Sequence, residues 1–362
     1  MGMNKEIMAK RIKKIRHGLK KKNIYCLLLT KPANVTYTTG FMGADSWAMI
    51  TKNQVYLLTD SRYTEQAQKE CQGCKIFERI GPMADAVAKL VKKLKGIKVI
   101  TVEKTTSLAD FDRLKKAVKV RFKTAAGIIE SVRSDKDSYE TATIKKAAAI
   151  STQALKQTLR YIKPGITESE LAGMLDFQMR RLGACNGFET IVAFGPNASR
   201  PHHQPGTRKL RKNDTVLIDF GAMYQGYCSD ITRCFVVGRP TKFYMKVFEV
   251  VERAQAAAIK LLKDGADMIK VDAAAREVIE QSGLPVYGHG SGHGFGLEIH
   301  ENPFLKPDGK GRLKAGQIIT IEPGIYIPGK LGVRIEDDCL ITKNGCEIIT
   351  RKCPHSPLLP KK

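Results

Sequence analysis

Residues 216–237 read VLIDFGAMYQGYCSDITRCFVV, and this stretch decides the fold. Two apolar runs flank the turn Gln225-Gly226, which predicts a pair of adjacent strands. Each run carries one aspartate, Asp219 or Asp230, in surroundings where an unpaired charge is costly. Because buried carboxylates are normally paired or bound to metal, the stretch predicts a functional site together with a fold.

The same order of elements recurs about one hundred residues later, which indicates an internal duplication. Two helices are predicted ahead of each strand pair, at 141–162, 168–182, 241–263 and 267–282. The second strand pair joins IITIEPGIY, residues 318–326, to GVRIEDDCLIT, residues 332–342. A duplicated unit of two helices and two strands predicts an α+β domain around a curved, mainly antiparallel sheet, with a site at its pseudo-twofold centre.

Carboxylate placement agrees between the two halves. Asp219 matches Glu322, each followed two residues later by glycine, and Asp230 matches Glu336. His293, in the glycine-rich stretch GSGHGFG, adds an imidazole. Strand side chains alternate in direction, so each pair of strands can direct its two carboxylates to one face. Such an oxygen-rich set suits hard or borderline divalent ions and predicts two of them, about 3.5–4 Å apart.

Two divalent ions lower the pKa of a bridging water and polarise a carbonyl, so amide hydrolysis is the leading reaction class. The alternative is structural, with strand-end carboxylates satisfied by backbone donors or by arginines such as Arg233 and Arg334. A single carboxylate would not discriminate between these interpretations. The five side chains together favour the metal site.

Histidines cluster in two short segments. His289 and His293 are four residues apart, as on a zincin helix, but five alternating glycines in 288–296 exclude a stable helix. Their spacing also misses the G-x-G-x-x-G pattern of a dinucleotide loop. We expect a strand or bulge where substrate approaches the backbone. His202 and His203 lie in a proline-flanked loop, and the predicted metal site makes them functional candidates.

The first 125 or so residues alternate helical and strand-like stretches, which predicts an α/β N-terminal domain with its own core. The expected helices span 5–22, 61–71, 83–95 and 107–119, and the expected strands lie within 24–29, 47–58 and 97–102. The polar stretch 131–140 follows. We therefore place the two domains at 1–130 and 131–362.

The composition is that of an ordinary globular protein, with 43% hydrophobic residues and no apolar run that could span a membrane. The N-terminus is basic without an apolar core, which argues against a secretory signal. Nine cysteines in such a chain predict reduced thiols and a cytoplasmic location. Cys71 and Cys74 form a C-x-x-C without a second pair, so a plain surface turn is favoured over a redox or metal role.

The net charge of +25 could attract nucleic acid or anionic surfaces. The lysines are spread along the chain, with local runs only at 20–22, 92–95 and 208–212. No aromatic residues interleave with them to stack bases, and Trp47 is the only tryptophan. A solvated, lysine-rich surface is the favoured interpretation, so neither a nucleic-acid nor a membrane partner is expected.

With these segments, the chain resembles the pita-bread metallopeptidases, specifically Xaa-Pro aminopeptidases and Xaa-Pro dipeptidases (prolidases). The catalytic motifs are VLIDFGAMYQGYCSDITR, GHGSGHGFGLEIHE, ITIEPGIY and GVRIEDD, while NVTYTTGFMGA and LLTDSRYTEQA resemble a creatinase-type N-terminal domain. The resemblance implies two bound divalent ions, most often Mn²⁺, with Co²⁺ or Zn²⁺ as alternatives. The implied ligands are Asp219, Asp230, His293, Glu322 and Glu336. None of the five is replaced, which argues against a pseudo-enzyme.

The resemblance also implies roles for the surrounding residues. His202 is similar to a histidine that contacts substrate and assists proton transfer, and His300 to one that binds the scissile carbonyl or its oxyanion. His289 resembles a wall of the substrate pocket, and Arg334 an arginine that orients ligands or the substrate carboxylate. Glu322 would also carry a proton from the attacking water to the leaving nitrogen.

The implied reaction is hydrolysis of the bond before proline, whose nitrogen carries no N–H. An Xaa-Pro aminopeptidase is our leading expectation, and a prolidase restricted to dipeptides is the alternative, because both use the same ligands. The large N-terminal domain disfavours a methionine aminopeptidase. A non-catalytic binding protein of this fold, with a basic surface facing RNA or chromatin, would not need five intact ligands. The resemblance also implies a homodimer.

Overall fold

The computed structural model describes residues 5–359 of the chain. The chain divides between Arg133 and Ser134 into two compact units. In the described part of the chain, no helix has both the length and the apolar character needed to cross a bilayer.

The first unit contains a six-stranded mixed sheet with helices packed against it. The helices are α1 (Lys5–Lys21), α2 (Pro32–Thr39), α3 (Thr64–Glu70), α4 (Met83–Leu94), α5 (Leu108–Ala117) and α6 (Ile128–Arg133). The strands are β1 (Cys26–Leu29), β2 (Trp47–Thr51), β3 (Val55–Thr59), β4 (Lys75–Glu78), β5 (Val99–Glu103) and β6 (Arg121–Ala125). Their order is β4-β3-β2-β1-β5-β6, with antiparallel pairing only at β1–β2 and β2–β3.

Apolar periodicity explains which elements the sequence predicted. Strand β1 is buried throughout, and α4 buries Val87, Leu90 and Val91, whose spacing defines one helical face. The edge strands β4 and β6 were not predicted, because most of their residues are exposed or half-buried and carry no apolar pattern. The short helices α2 and α6 were also not predicted.

The second unit repeats a helix pair and a group of antiparallel strands. Its helices are α7 (Ser138–Thr158), α8 (Glu168–Arg181), α9 (Lys242–Lys260) and α10 (Met268–Gln281). The strands of its first half are β7 (Cys185–Asn186), β8 (Ile191–Phe194), β9 (Thr215–Phe220), β10 (Ala222–Tyr224), β11 (Tyr227–Cys228) and β12 (Ile231–Val236). The strands of its second half are β13 (Gly292–Gly294), β14 (Glu301–Leu305), β15 (Ile318–Ile321), β16 (Gly324–Ile327), β17 (Leu331–Arg334), β18 (Asp337–Ile341) and β19 (Cys346–Ile348).

These strands form several short antiparallel sheets, in the orders β12-β9-β8, β14-β13-β15-β18-β19, β11-β10-β7 and β16-β17. The α+β catalytic fold with duplicated helix pairs is therefore confirmed. The long strands expected from sequence are instead interrupted. The chain leaves β9 at Gly221 and leaves β15 at Glu322-Pro323, and the returning strand of the second half breaks at Glu336. Proline lacks an N–H for the ladder, which accounts for the second break.

Asp219 is the one predicted ligand that lies inside a long strand, opposite Thr232. Asp230 directly precedes β12, Glu322 follows β15, and Glu336 lies between β17 and β18. A strand end frees the side chain and backbone from the regular ladder. The breaks therefore place the acidic residues where the chain can turn them toward a common centre.

Glycine at position 292 is required by the close approach of two strands. A Cβ built there would lie 2.0 Å from the carbonyl oxygen of Thr320. The pairing of β13 with β14 also shifts register between His293 and Gly294. The expected strand with a bulge is thus present, and its glycine at 292 accommodates the neighbouring strand.

We predict that Gly292→Ala destabilises the second unit, because its methyl group must displace backbone. The free energy of unfolding should fall by about 1–3 kcal/mol, measured by chemical denaturation. Gly288→Ala is the matched control, since a Cβ there meets nothing within 4 Å. Equal stability of the two variants would contradict this account of the close approach.

Candidate metal centre

One cavity of about 370 Å³ in the second unit is lined by nine of the predicted site residues, while the tenth candidate, His203, lies outside its lining. The five predicted ligands on its wall are Asp219, Asp230, His293, Glu322 and Glu336. The four surrounding residues proposed from the resemblance also line it, namely His202, His289, His300 and Arg334. Side chains from both duplicated halves therefore meet at one centre.

His293 stands among the acidic groups at distances that leave room for a cation. Ligand atoms of Asp230, His293 and Glu336 lie within 4.8 Å of one another. The Nε2 of His293 is 3.6 Å from Asp230 Oδ2 and 3.4 Å from Glu322 Oε1. Its Nδ1 lies 3.1 Å from the carbonyl oxygen of Gly294, which fixes the proton there and leaves Nε2 a free lone pair.

One acceptor of this cluster is buried without a donor. Arg334 Nη2 donates to Asp219 Oδ2 at 2.5 Å, but Asp219 Oδ1 is buried and finds no hydrogen-bond partner among residues 5–359. An orphaned carboxylate oxygen facing other acids is unfavourable unless a cation joins them. The donor set, four carboxylates and one neutral imidazole, fits divalent metal.

The pKa shifts of the cluster also favour a bound cation. Burial raises the pKa of Asp230 and of Glu336 well above the ordinary value, and neighbouring carboxylates add to both shifts. Burial also raises the pKa of Glu322 to about 8, against the opposing effect of Arg334. The pKa of His293 falls to about 4 because burial disfavours its cation. A bound divalent ion would stabilise the ionised acids and use the neutral imidazole.

Two threonines that the sequence analysis did not select orient the acids. Thr232 Oγ1 donates to Glu336 Oε2 at 2.6 Å and accepts from Arg334 Nε at 3.0 Å. Thr320 Oγ1 lies 3.4 Å from Glu322 Oε1 and accepts the backbone N–H of His293. Each threonine is two residues from a predicted ligand, a spacing that places side chains on the same face of a strand.

Arg233 and Arg334, which could in principle satisfy the carboxylates without metal, contact different acids. Arg334 pairs directly with Asp219, so it contacts one predicted ligand. Arg233 instead pairs with Asp337 Oδ1 at 2.7 Å and donates to the backbone oxygen of Glu336 at 2.6 Å. Neither arginine neutralises the remaining acids, so ion pairing alone does not balance the cluster.

His289 lies in a hydrogen-bonded chain at the edge of the cavity. Its Nε2 is 3.0 Å from the Tyr326 hydroxyl, which accepts from Arg334 Nη1 at 2.8 Å. Burial lowers the pKa of His289 to about 4, so it is a neutral wall. Arg276 holds this segment from α10 by donating to the His289 carbonyl at 2.6 Å, and Asp272 anchors Arg276 in turn at 2.7 Å.

A buried glutamate supports the loop that carries His202. Glu168, at the start of α8, contacts His203 Nε2 at 2.9 Å and accepts from the backbone N–H of Phe194 and of Gly206. His203 is buried against this acid and does not line the cavity. It therefore positions the loop, whereas the exposed His202 faces the cavity.

His300 stands over the predicted ligand His293, with ring centroids 4.5 Å apart. Partial burial lowers the pKa of His300, and the neighbouring His202 adds to the effect. Lys306 and two phenylalanines, Phe188 and Phe304, also line the cavity. These three residues were not predicted, because nothing in their spacing distinguishes them from ordinary loop or strand residues.

Comparisons with known proteins define the class of this protein as a metallopeptidase. Residues 142–343 match the family described as Metallopeptidase family M24, and residues 11–134 match the Creatinase/Prolidase N-terminal domain. The chain belongs to the M24 family, in its pita-bread Xaa-Pro peptidase branch. Membership of this family implies divalent metal ions.

Three relatives illustrate the similarity. An Xaa-Pro dipeptidase of Pyrococcus horikoshii is 35% identical over 96% of this chain and 98% of its own. The structure of an Xaa-Pro dipeptidase from Bacillus anthracis is 37% identical, with a TM-score of 0.93 over 97% of this chain and 99% of that one. The structure of an X-Pro aminopeptidase from Thermotoga maritima is 36% identical, with a TM-score of 0.87 over 94% and 99%.

We predict opposite effects of Asp230→Asn on the metal-free and the metal-loaded protein. Without metal, the variant should melt no lower than wild type, because it removes one of four mutually repelling carboxylates. With saturating Mn²⁺, wild type should gain about 2–4 kcal/mol of stability, and the variant should gain much less. Thermal denaturation with and without Mn²⁺ measures both effects.

Glu277→Gln is the control, because Glu277 is exposed on α10 and does not line the cavity. It should show the full metal-dependent gain. An unchanged gain in Asp230→Asn would contradict a role for this cluster in metal binding.

Proposed function

We propose that this protein hydrolyses the peptide bond that precedes proline, with two divalent ions, preferably Mn²⁺, held by five residues. These residues are Asp219, Asp230, His293, Glu322 and Glu336. The observation that carries the proposal is their convergence on one cavity, with a buried acceptor that no protein donor satisfies. Membership of the Xaa-Pro peptidase family supports the substrate class.

The ions would supply an activated water and polarise the scissile carbonyl. The residues of the chain then position the substrate and move protons. Glu322 accepts the proton of the water and delivers it to the proline nitrogen. His300, which faces the cavity beside His293, donates to the oxyanion that develops from the carbonyl. His202 approaches from the loop held by Glu168 and assists proton transfer.

The remaining polar residues set the shape of the cavity. His289 forms a wall against which the substrate lies, and the Tyr326 hydroxyl holds its ring by a hydrogen bond. Arg334 is already engaged by Asp219, Thr232 and Tyr326. It orients a predicted ligand and the side chains beside the cavity. A different cation would therefore bind a substrate carboxylate.

For substrate length, we propose a preference for dipeptides. Lys306 lines the cavity, and within residues 5–359 its ammonium pairs only with the exposed Asp308, at 3.2 Å. Such an exposed pair is weak and can yield to a substrate carboxylate. The dipeptidase names of two of the relatives above support this choice. The aminopeptidase activity, our leading expectation from sequence, stays the second candidate, supported by the Thermotoga maritima relative.

We predict that protein loaded with Mn²⁺ releases the first residue from Xaa-Pro peptides and leaves Xaa-Ala peptides intact. Asp219→Ala should lower kcat/KM by at least about 100-fold, because the cluster loses an oxygen ligand. The same assay compares kcat/KM for Xaa-Pro and for Xaa-Pro-Yaa. A higher value for Xaa-Pro indicates a dipeptidase, and a higher value for Xaa-Pro-Yaa indicates an aminopeptidase. Metal-replete wild-type protein that cleaves neither substrate would overturn the proposed function.

Lys306 provides a sharper test of substrate length. We predict that Lys306→Met raises KM for an Xaa-Pro dipeptide about tenfold, because one charge-assisted contact with the terminal carboxylate is lost. The C-terminally amidated dipeptide has no carboxylate, so its KM should not change. Lys310→Met is the matched control, because Lys310 lies outside the catalytic cavity. An equal change for acid and amide would contradict carboxylate recognition.

We also propose a cytoplasmic location and a homodimer. All nine cysteines are free, which supports a reducing compartment. The dimer follows from the family resemblance alone. A monomeric mass in solution would contradict it.

A further inference from the structure

The positive charge is concentrated in the first unit. Residues 1–133 contain 28 lysines and arginines and 11 aspartates and glutamates, so they carry +17 of the total +25. Two of the three basic runs noted in the sequence, 20–22 and 92–95, lie in this unit. A domain with this imbalance attracts anions, and a concave surface on it would concentrate the field.

Such a surface exists at one end of the sheet. A cavity of about 610 Å³ opens at the amino-terminal ends of β1, β5 and β6, beside the turn between β2 and β3. Its volume lies within the range of small-molecule sites. Five cationic residues and no acidic residue line it, namely Lys52, Lys95, Lys98, Arg121 and Lys123.

These cations have no acidic partners within the described residues. Elsewhere in the unit, Arg62 and Arg79 pair with Asp60 at 2.9 Å and 2.6 Å, and Lys69 pairs with Glu65 at 2.5 Å. Among residues 5–359, no carboxylate lies within ion-pair distance of any of the five cavity cations. Their charge is available to an external ligand.

Strand register arranges two of the cations as a pair. Arg121 lies opposite Val99 and Lys123 opposite Thr101, so both point to the same face of the edge strand β6. Alternate strand residues are about 6.6 Å apart, a separation that allows two anionic groups of one ligand to be contacted together. Arg121 adds a planar fork of donors that matches phosphate geometry.

Five cationic side chains around one cavity favour a ligand that carries several negative charges in a small volume. We infer that this cavity binds a small molecule with an oligophosphate chain, at a site separate from the peptidase centre. The chain can belong to inorganic oligophosphate or to a nucleotide. Tyr25, 69% exposed, also lines the cavity and offers an aromatic face for a base.

The test is calorimetric titration of the full-length protein with inorganic tripolyphosphate and with a nucleoside triphosphate, at physiological salt. Wild type should bind one ligand per chain. The double variant Arg121→Glu with Lys123→Glu should bind at least about tenfold more weakly, because charge-assisted contacts become repulsions. Its activity on Xaa-Pro should be unchanged.

Lys89→Glu with Lys104→Glu is the matched control. These residues belong to the same unit, are exposed and do not line the cavity, and the change in net charge is identical. The control should lose less than about threefold in affinity, as expected from a long-range field alone. Removal of metal from the peptidase site by phosphate affects both variants equally and cancels in the comparison.

Tyr25→Ala distinguishes the two sources of the phosphate chain. A loss of affinity confined to the nucleotide identifies a nucleotide ligand, and unchanged affinity for both probes identifies the oligophosphate chain alone. Equal weakening in the two charge variants would overturn the site, as would several ligands per chain. Affinity for single-stranded oligonucleotides that rises steadily with their length would show a nucleic-acid surface instead, and would also overturn it.

Discussion

The mutual repulsion of four carboxylates in a buried cavity is the constraint on which the second unit depends. Burial and neighbouring acids raise the pKa of Asp230 and of Glu336, and one oxygen of Asp219 has no donor in the described part of the chain. Such a cluster is unstable alone and strongly attractive to divalent ions. The stability of the catalytic unit and its chemistry therefore share one cause.

The duplicated architecture makes this concentration of charge feasible. Regular strands fix the position of each segment, and the breaks after Phe220 and Ile321 let the chain turn at the centre. Thr232, Thr320 and Arg334 then orient the acids, and Arg334 forms an ion pair with one of them, Asp219. The segments that carry His202 and His289 are held separately, the first by Glu168 on α8 and the second by Asp272 and Arg276 on α10. The residues that orient the predicted metal ligands are therefore different from those that position the predicted substrate contacts.

Much of this arrangement could be predicted from the sequence, because the relevant signals are local. An acid within an apolar strand, such as Asp219, is conspicuous, and the repeated order of elements indicates which acids meet. The strand breaks were not predictable in the same way. The break at Gly221 arises because its backbone approaches the carbonyl of Ser229, where a Cβ would lie only 1.8 Å away. Contacts between residues distant in sequence, such as Lys306 with the cavity or Glu168 with His203, carry no periodic signal.

The contacts of Arg233 and Arg334 show how the two halves depend on each other. Arg233 belongs to the first half and bonds Asp337 in the second, while Arg334 belongs to the second half and bonds Asp219 in the first. Each half thus contributes one arginine that pairs with an aspartate of the other half. A half-unit separated from its partner would retain a buried guanidinium without its acid and an acid without its guanidinium. The two repeats are therefore electrostatically incomplete alone, and cooperative unfolding of the whole catalytic unit follows from that exchange.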